Sequence, residues 1–364
     1  MKKNAFVLLW AEISAEEWER KYYAGDVPDV SPYGYHYLRD FGYKVVFSRK
    51  KDAESRVAFI VRKIISKFLG ADLVHAWRHF TDLCCADVIL THTDRESFAI
   101  LILKALFPGR IRGRTICQII WTADRLNGSK GIKAKLAGLL LGKADLVTTL
   151  SSINAQWIKA VNRWANVEMV HFGISSDSFT RQHAGSQNNG DTLNILAIGN
   201  DEHRDWVTFA SALNDFNDVS VKILSKTFQR TVQSFPDTWS VESASSLRQV
   251  KEAYKWADVV VVPLKKNMHA SGITCVLEAT FLGVPVIAAD AGGLTDYFGA
   301  DEVLYYSVGD HQSLRRRLVE MAKDSNTRLR YCRAAQLRAA SKDLTSKNYI
   351  RQQIALLNAT AVQK

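Results

Sequence analysis

The stretch from Asp258 to Phe298, DVVVVPLKKNMHASGITCVLEATFLGVPVIAADAGGLTDYF, constrains this chain more than any other. Val259 to Val262 form an unbroken β-branched run, the pattern of a parallel strand covered on both faces. Ser271-Gly272 stands where the following helix should begin, and Glu278 lies about two turns into it on an otherwise apolar stretch. Gly283-Val284-Pro285 stops that helix and starts the next strand, Val286 to Ala289. A helix N-terminus preceded by glycine, at the C-terminal edge of a parallel sheet, is a ready site for phosphate. A carboxylate further along the helix suits a ribose diol. Together these features describe a pocket for a nucleotide diphosphate.

The rest of the chain alternates in the same way. Strands are predicted at Ala5–Trp10, Lys44–Ser48, Asp87–Thr91, Thr115–Trp121, Asp145–Leu150 and Val167–Val170. A second set is predicted at Asn194–Ile198, Ser220–Leu224, Val259–Val262, Val286–Ala289 and Val303–Tyr306. Helical segments separate them, among them Tyr33–Phe41, Arg56–Leu69, Leu73–Cys84, Ile273–Leu282 and a final Lys347–Leu357. Such βα alternation implies parallel, doubly wound α/β sheets. A length of 364 residues fits two domains of roughly 170 residues each. The divisions expected are 1–171, a polar Gly-, Gln- and Asn-rich linker within 172–192, 193–343, and a C-terminal helix in 344–364 that crosses back to the first domain.

The pattern Leu-Glu-Ala-x-x-x-Gly-x-Pro-Val-Ile at 277–287 resembles the C-terminal domain of GT-B glycosyltransferases. It is closest to the large retaining group that includes sucrose synthases and the phosphatidylinositol mannosyltransferases. Phe172-Gly173-Ile174-Ser175, with Phe179, is similar to that family's interdomain segment. The resemblance implies two Rossmann-like domains facing a central cleft. It also implies transfer of a hexose from a UDP- or GDP-sugar with retention of configuration. It assigns Glu278 to the ribose. Family members usually carry two glutamates separated by seven residues; the first falls at Ala270 here and is missing.

The backbone of Ser271, Gly272, Ile273 and Thr274, with the two hydroxyls, is expected to hold the diphosphate. The family places a basic clamp after the first strand of this domain. Its usual Gly-Arg is Gly199-Asn200 here, so Arg204 is the cation expected beside the leaving phosphate. Lys265 and Lys266 follow a strand end and are candidates for a second cation. Ser243 to Ser246 lies where the family's base-binding loop falls. No Asp-x-Asp occurs, and no cofactor or metal is expected, because a helix dipole and cations do the metal's work.

The first domain offers two candidates at strand ends. Asp124, in Trp121-Thr122-Ala123-Asp124, is either an acceptor-side base or orienter or a cap of the next segment. His92, in Thr91-His92-Thr93-Asp94, is either catalytic or structural. Tyr33-Gly34-Tyr35 replaces the family's glycine-rich loop.

Charge and composition bear on location and partners. The net charge is +11, and residues 1–171 hold 26 Lys/Arg against 17 Asp/Glu. In GT-B enzymes that half faces the acceptor. The excess fits a glycan acceptor on a lipid pyrophosphate, an anionic membrane surface, or merely a solubilising exterior. The helix Arg56–Leu69 sets Val57, Ile60, Val61, Ile64, Ile65 and Phe68 on one face and Arg62, Lys63 and Lys67 on the other. That pattern suits an interfacial helix or a core-facing helix with basic residues in solvent. No motif for nucleic acid appears. Five unpaired-looking cysteines and a short N-terminal apolar segment suggest a reducing, cytoplasmic setting.

Overall fold

The computed structural model describes residues 2–50, 55–126, 131–180, 192–232, 234–244 and 246–360. The chain divides into two compact units, one of residues 1–24, 29–171 and 347–364, the other of residues 25–28 and 172–346. The linker expected at 181–191 lies outside the described residues.

The first unit is built on six parallel strands: β1 (Lys3–Leu8), β2 (Tyr43–Phe47), β3 (Val88–Thr91), β4 (Arg114–Ile119), β5 (Leu146–Thr149) and β6 (Val167–Met169). Their order is β2-β1-β3-β4-β5-β6. The second unit holds β7 (Leu193–Ile198), β8 (Val219–Leu224), β9 (Ser240–Glu242), β10 (Val259–Val262), β11 (Val286–Ala289) and β12 (Leu304–Tyr306). They run β12-β11-β10-β7-β8-β9, again all parallel. Both sheets are therefore doubly wound. Val259 to Val262 have no exposed surface, as a strand covered by helices on both faces requires.

Every predicted strand is present. β9 is additional: it has three residues at the sheet edge, only one of them apolar, and carries no periodic signal. The predicted helix at Leu73–Cys84 is two, Leu73–Arg78 and Phe80–Cys85, broken at His79. The segment Pro32–Phe41 is 3-10 rather than α, with Tyr33 and Gly34 in left-handed backbone. The final helix, Ser346–Ala359, sits in the first unit from residue 347 on: Tyr349 donates to Gln118, and Gln352 bonds both backbone groups of His171.

The helix Arg56–Leu69 departs from the core-facing expectation and from the outward placing of Arg62, while the side chains of Val61, Ile65 and Phe68 lie outside the described residues. Val57 and Ile64 are 71% and 62% exposed, while Arg62 is buried and paired with buried Asp72 at 3.5 Å. Lys63 pairs with Glu12. The helix thus presents apolar residues outward. Hydrophobic periodicity cannot foresee this, because it does not know that Asp72 waits inside for a cation.

Candidate nucleotide-diphosphate site

In the second sheet the strand order reverses between β7 and β10, which are hydrogen-bonded neighbours. In open α/β sheets the crevice beyond the carboxyl ends of such a pair is where ligands bind. Two loops leave here, Gly199 to Asp205 after β7 and Pro263 to Gly272 after β10. They are zipped together: Lys265 N–H donates to the His203 carbonyl at 2.8 Å and Asp205 N–H to the Pro263 carbonyl at 3.0 Å. Arg204 and Leu264 form an antiparallel bridge.

Arg204 is the centre of the arrangement. It is 4% exposed. Its Nε donates to the Ile198 carbonyl at 3.3 Å, Nη1 to Ser271 Oγ at 3.5 Å and Nη2 to Cys275 Sγ at 3.3 Å. Among the described residues no carboxylate pairs with it. The guanidinium packs where side chains at Gly199 and Gly272 would otherwise stand; a Cβ on Gly272 would lie 3.1 Å from Nη1. Both glycines have positive φ, +145° and +78°. Position 272 is thus closed to larger residues twice over, by conformation and by contact.

Gly272 opens the helix Ile273–Leu282, which Gly283 closes in left-handed conformation. Of the four N–H groups expected to face a diphosphate, that of Ser271 bonds the His269 carbonyl at 2.9 Å and that of Ile273 the Ala270 carbonyl at 3.2 Å. Those of Gly272 and Thr274 have no acceptor among the described residues. The Ser271 hydroxyl is also engaged, donating to Asp201 Oδ2 at 2.7 Å. Thr274 is exposed at the helix start, and Lys265 is exposed on the neighbouring loop.

Asp201 carries no signal in the sequence, yet it joins the two loops. Besides Ser271 it accepts from the His203 backbone N–H at 2.9 Å, and it meets His203 Nδ1 at 3.2 Å and His269 Nε2 at 3.4 Å. Burial raises its carboxyl pKa, but the hydrogen bonds from His269, the His203 N–H and Ser271 outweigh this and hold it well below the usual range.

Glu278 keeps slight exposure, but its carboxyl is desolvated. That raises its pKa to about 7, against the opposing effect of the Tyr254 hydroxyl, which donates to Oε2 at 2.8 Å. Tyr254 itself is fully buried and also meets the Cys275 carbonyl at 3.4 Å. A half-charged carboxylate held by one donor can accept further hydroxyls. Burial pushes the Cys275 thiol up to about 11, so it is not a nucleophile at neutral pH.

The first unit places its two candidates on successive strand ends. His92 follows β3, is buried, and stacks on Tyr33 with ring centroids 3.3 Å apart. Burial lowers its pKa to about 3, so the ring is neutral. Asp124 is half-buried in the short helix Thr122–Leu126 beyond β4. The turn into that helix is held by buried Asp94, which accepts from the N–H groups of Ile120, Trp121 and Thr122 at 3.1, 3.1 and 2.8 Å. In sequence Asp94 resembles an ordinary helix-start residue, and only the fold brings it across to β4.

Two doubly wound sheets of this kind, with a phosphate-type helix start at the switch point of the second, define the GT-B class. Residues 240–338 match the family described as Glycosyl transferases group 1. The whole fold is similar to that of sucrose-phosphate synthase from Thermosynechococcus elongatus, with a TM-score of 0.77 at 14% identity over 100% of both chains. It is also similar to Anabaena HepE in complex with UDP, with a TM-score of 0.68 at 13% identity over 98% of this chain and 100% of that one. OtsA aligns with a TM-score of 0.67 at 10% identity, over 98% and 99% of the two chains. No curated protein matches the chain by sequence. The chain has a GT-B fold, and the group 1 match lies in residues 240–338 of its second unit.

Proposed function

We propose that this protein transfers a hexose from a UDP- or GDP-sugar to an acceptor, with retention and without a metal in the transfer step. The observation that carries the reading is Arg204: a buried guanidinium with no carboxylate partner among the described residues, packed against the glycine that opens a helix. A buried charge without a counter-charge is costly. An anion arriving at the Gly272 and Thr274 N–H groups would supply one, and the helix dipole adds to the attraction. Glu278 stands one helical turn beyond Thr274, ready to accept from a ribose diol. HepE has been crystallised with UDP and with UDP-glucose, which supports a sugar nucleotide as donor. The test is incubation with a panel of UDP-, GDP- and ADP-sugars, following nucleotide release and the anomer formed. Turnover should persist without added Mg²⁺ or Mn²⁺. A requirement for either would remove the metal-free part, and an inverted product would remove retention.

The acceptor we favour is a lipid-linked or polysaccharide-precursor glycan, reached by peripheral attachment to the inner face of a membrane. Val57, Phe59, Ile60 and Ile64 are exposed beside exposed Arg56 and Lys67. On the helix Ile132–Leu141, Ile132, Leu136 and Leu139 are exposed beside Lys133 and Lys135. Basic residues near an anionic surface contribute about 1 kcal/mol each, and apolar insertion adds to this. Among the described residues no helix is long and apolar enough to cross a membrane. The protein should sediment with anionic vesicles at low salt and be released at high salt; recovery in the supernatant with anionic vesicles at low salt would end this part of the proposal.

A second reading, a scaffold that binds nucleotide or a partner without transfer, is favoured by one observation. Ala270, buried at the start of the loop turn, stands where the family's first glutamate would be. Calorimetric binding of UDP, GDP or ADP with no transfer to any acceptor would support it over the enzyme.

A further inference from the structure

Asp201, His203 and His269 converge from the two loops that flank the switch point. Their ligand-type atoms, one from each side chain, all lie within 4.8 Å of one another. His203 Nδ1 is 3.2 Å from Asp201 Oδ1, and His269 Nε2 is 3.4 Å from Asp201 Oδ2. The two imidazoles stand at 77° with centroids 4.9 Å apart, so they approach the carboxylate from different sides. The edge of a tetrahedron around zinc, with bonds of about 2.0–2.1 Å, is roughly 3.3 Å. Each nitrogen lies about such an edge from one carboxylate oxygen, His203 from Oδ1 and His269 from Oδ2.

The backbone holds the three residues in place. The His203 carbonyl accepts from Lys265 N–H at 2.8 Å, which ties the first loop to the second. The His269 carbonyl accepts from the Ser271 and Gly293 N–H groups at 2.9 and 3.3 Å. Gly292 must be glycine for that approach, since a Cβ there would collide with the His269 carbonyl. Ser271 Oγ and the His203 backbone N–H orient the carboxylate, at 2.7 and 2.9 Å, as outer-shell partners of a metal ligand do. Exposure falls from 27% at the Asp201 side chain to 18% at His203 and 5% at His269, so the cluster opens to solvent on one side.

We propose that Asp201, His203 and His269 form a site for one borderline divalent cation, zinc above all, which clamps the loop after β7 to the loop after β10. Two imidazoles and a carboxylate select zinc-like ions over magnesium, which demands oxygen ligands. Three protein ligands leave the fourth tetrahedral position to water. The clamp stiffens the loops; the charge for sugar transfer comes from Arg204 and the helix. Because the site needs no sugar nucleotide, its test is separate from any test of transfer.

The metal-stripped full-length protein should be titrated with Zn²⁺ against a chromophoric chelator, with Mg²⁺ as control. One tight zinc per chain is expected, with a raised melting temperature and no response to Mg²⁺. Losing an outer-shell partner weakens metal binding about 10- to 100-fold, so losing a ligand in His203→Gln or His269→Gln should weaken it by at least about 100-fold. Each variant should also lose the zinc-induced rise in melting temperature. X-ray absorption of the zinc-loaded wild type needs no variant and separates this site from the five cysteines. It should show nitrogen and oxygen ligands with imidazole scattering and no sulfur. Absence of one-to-one binding, zinc affinity unchanged in both variants, or a sulfur shell would each overturn the proposal.

Discussion

Arg204→Ala should lower donor turnover by about 10²- to 10³-fold, the range seen when one preorganised group facing a developing anion is removed. The loss should fall mainly on kcat. As the glycosidic bond breaks, negative charge grows on the leaving diphosphate, and a cation beside it gains most at that moment. Lysine should not rescue the activity. Arg204 reaches Ile198, Ser271 and Cys275 through three different nitrogens, and an ammonium on a flexible stem cannot reproduce that fork. The ligand-free variant should still fold, since removing a buried charge that has no carboxylate beside it offsets part of the packing lost. Steady-state kinetics and thermal melting of the same preparations decide the matter. Wild-type kcat in Arg204→Ala would take the residue out of the site.

Glu278→Gln should weaken sugar-nucleotide binding by about 1–3 kcal/mol, the usual cost of losing a hydrogen bond to a charged group. Its pH dependence is more diagnostic. Desolvation holds the Glu278 pKa near 7, and a ribose diol prefers the ionised carboxylate because it can accept two hydroxyls. Donor affinity of the wild type should therefore increase as pH rises from about 6 to about 8, whereas that of Glu278→Gln should stay flat. A sugar nucleotide is the right ligand, since its diphosphate diester does not titrate there. Stability of the ligand-free protein should move the opposite way. A carboxyl whose folded pKa lies above its unfolded value contributes stability that is complete below the unfolded pKa and is lost as pH rises through about 7. A tenfold change in such an ionisation equilibrium corresponds to about 1.4 kcal/mol. Buried Glu96, also raised to about 7, acts in the same direction, so the comparison must be with Glu278→Gln rather than across pH alone. Identical affinity profiles for wild type and variant would show that Glu278 does not touch the donor.

Both residues are readable without any fold, for different reasons. Glu278 sits inside a strand–helix–strand pattern whose apolar period leaves one carboxylate out of place, and a misplaced charge in a buried helix is a strong local signal. Arg204 is the cation remaining in the first loop, and the structure buries it against Gly199 and Gly272. The diphosphate cradle is less legible. A sequence can locate a helix start but cannot say which of its donors are already used. Here the Ser271 hydroxyl and the N–H groups of Ser271 and Ile273 have acceptors within the two loops.

What the sequence determined by itself was the βα alternation, the doubly wound sheets and the helix start at Gly272. Each follows from local propensity and hydrophobic period, which act over a few residues. What only the tertiary structure decided was which strands are neighbours, and therefore which loops meet. β7 lies beside β10, with Ile195 opposite Val259, although β8 and β9 come between them in the chain. That adjacency brings Asp201 to His269 and Ser271, and Arg204 to Cys275. The same holds for Asp94, which reaches across to the turn after β4, and for Arg62, drawn inward by Asp72. These contacts are set by long-range packing and by the cost of leaving a buried polar group alone, and neither is written in any local stretch of sequence.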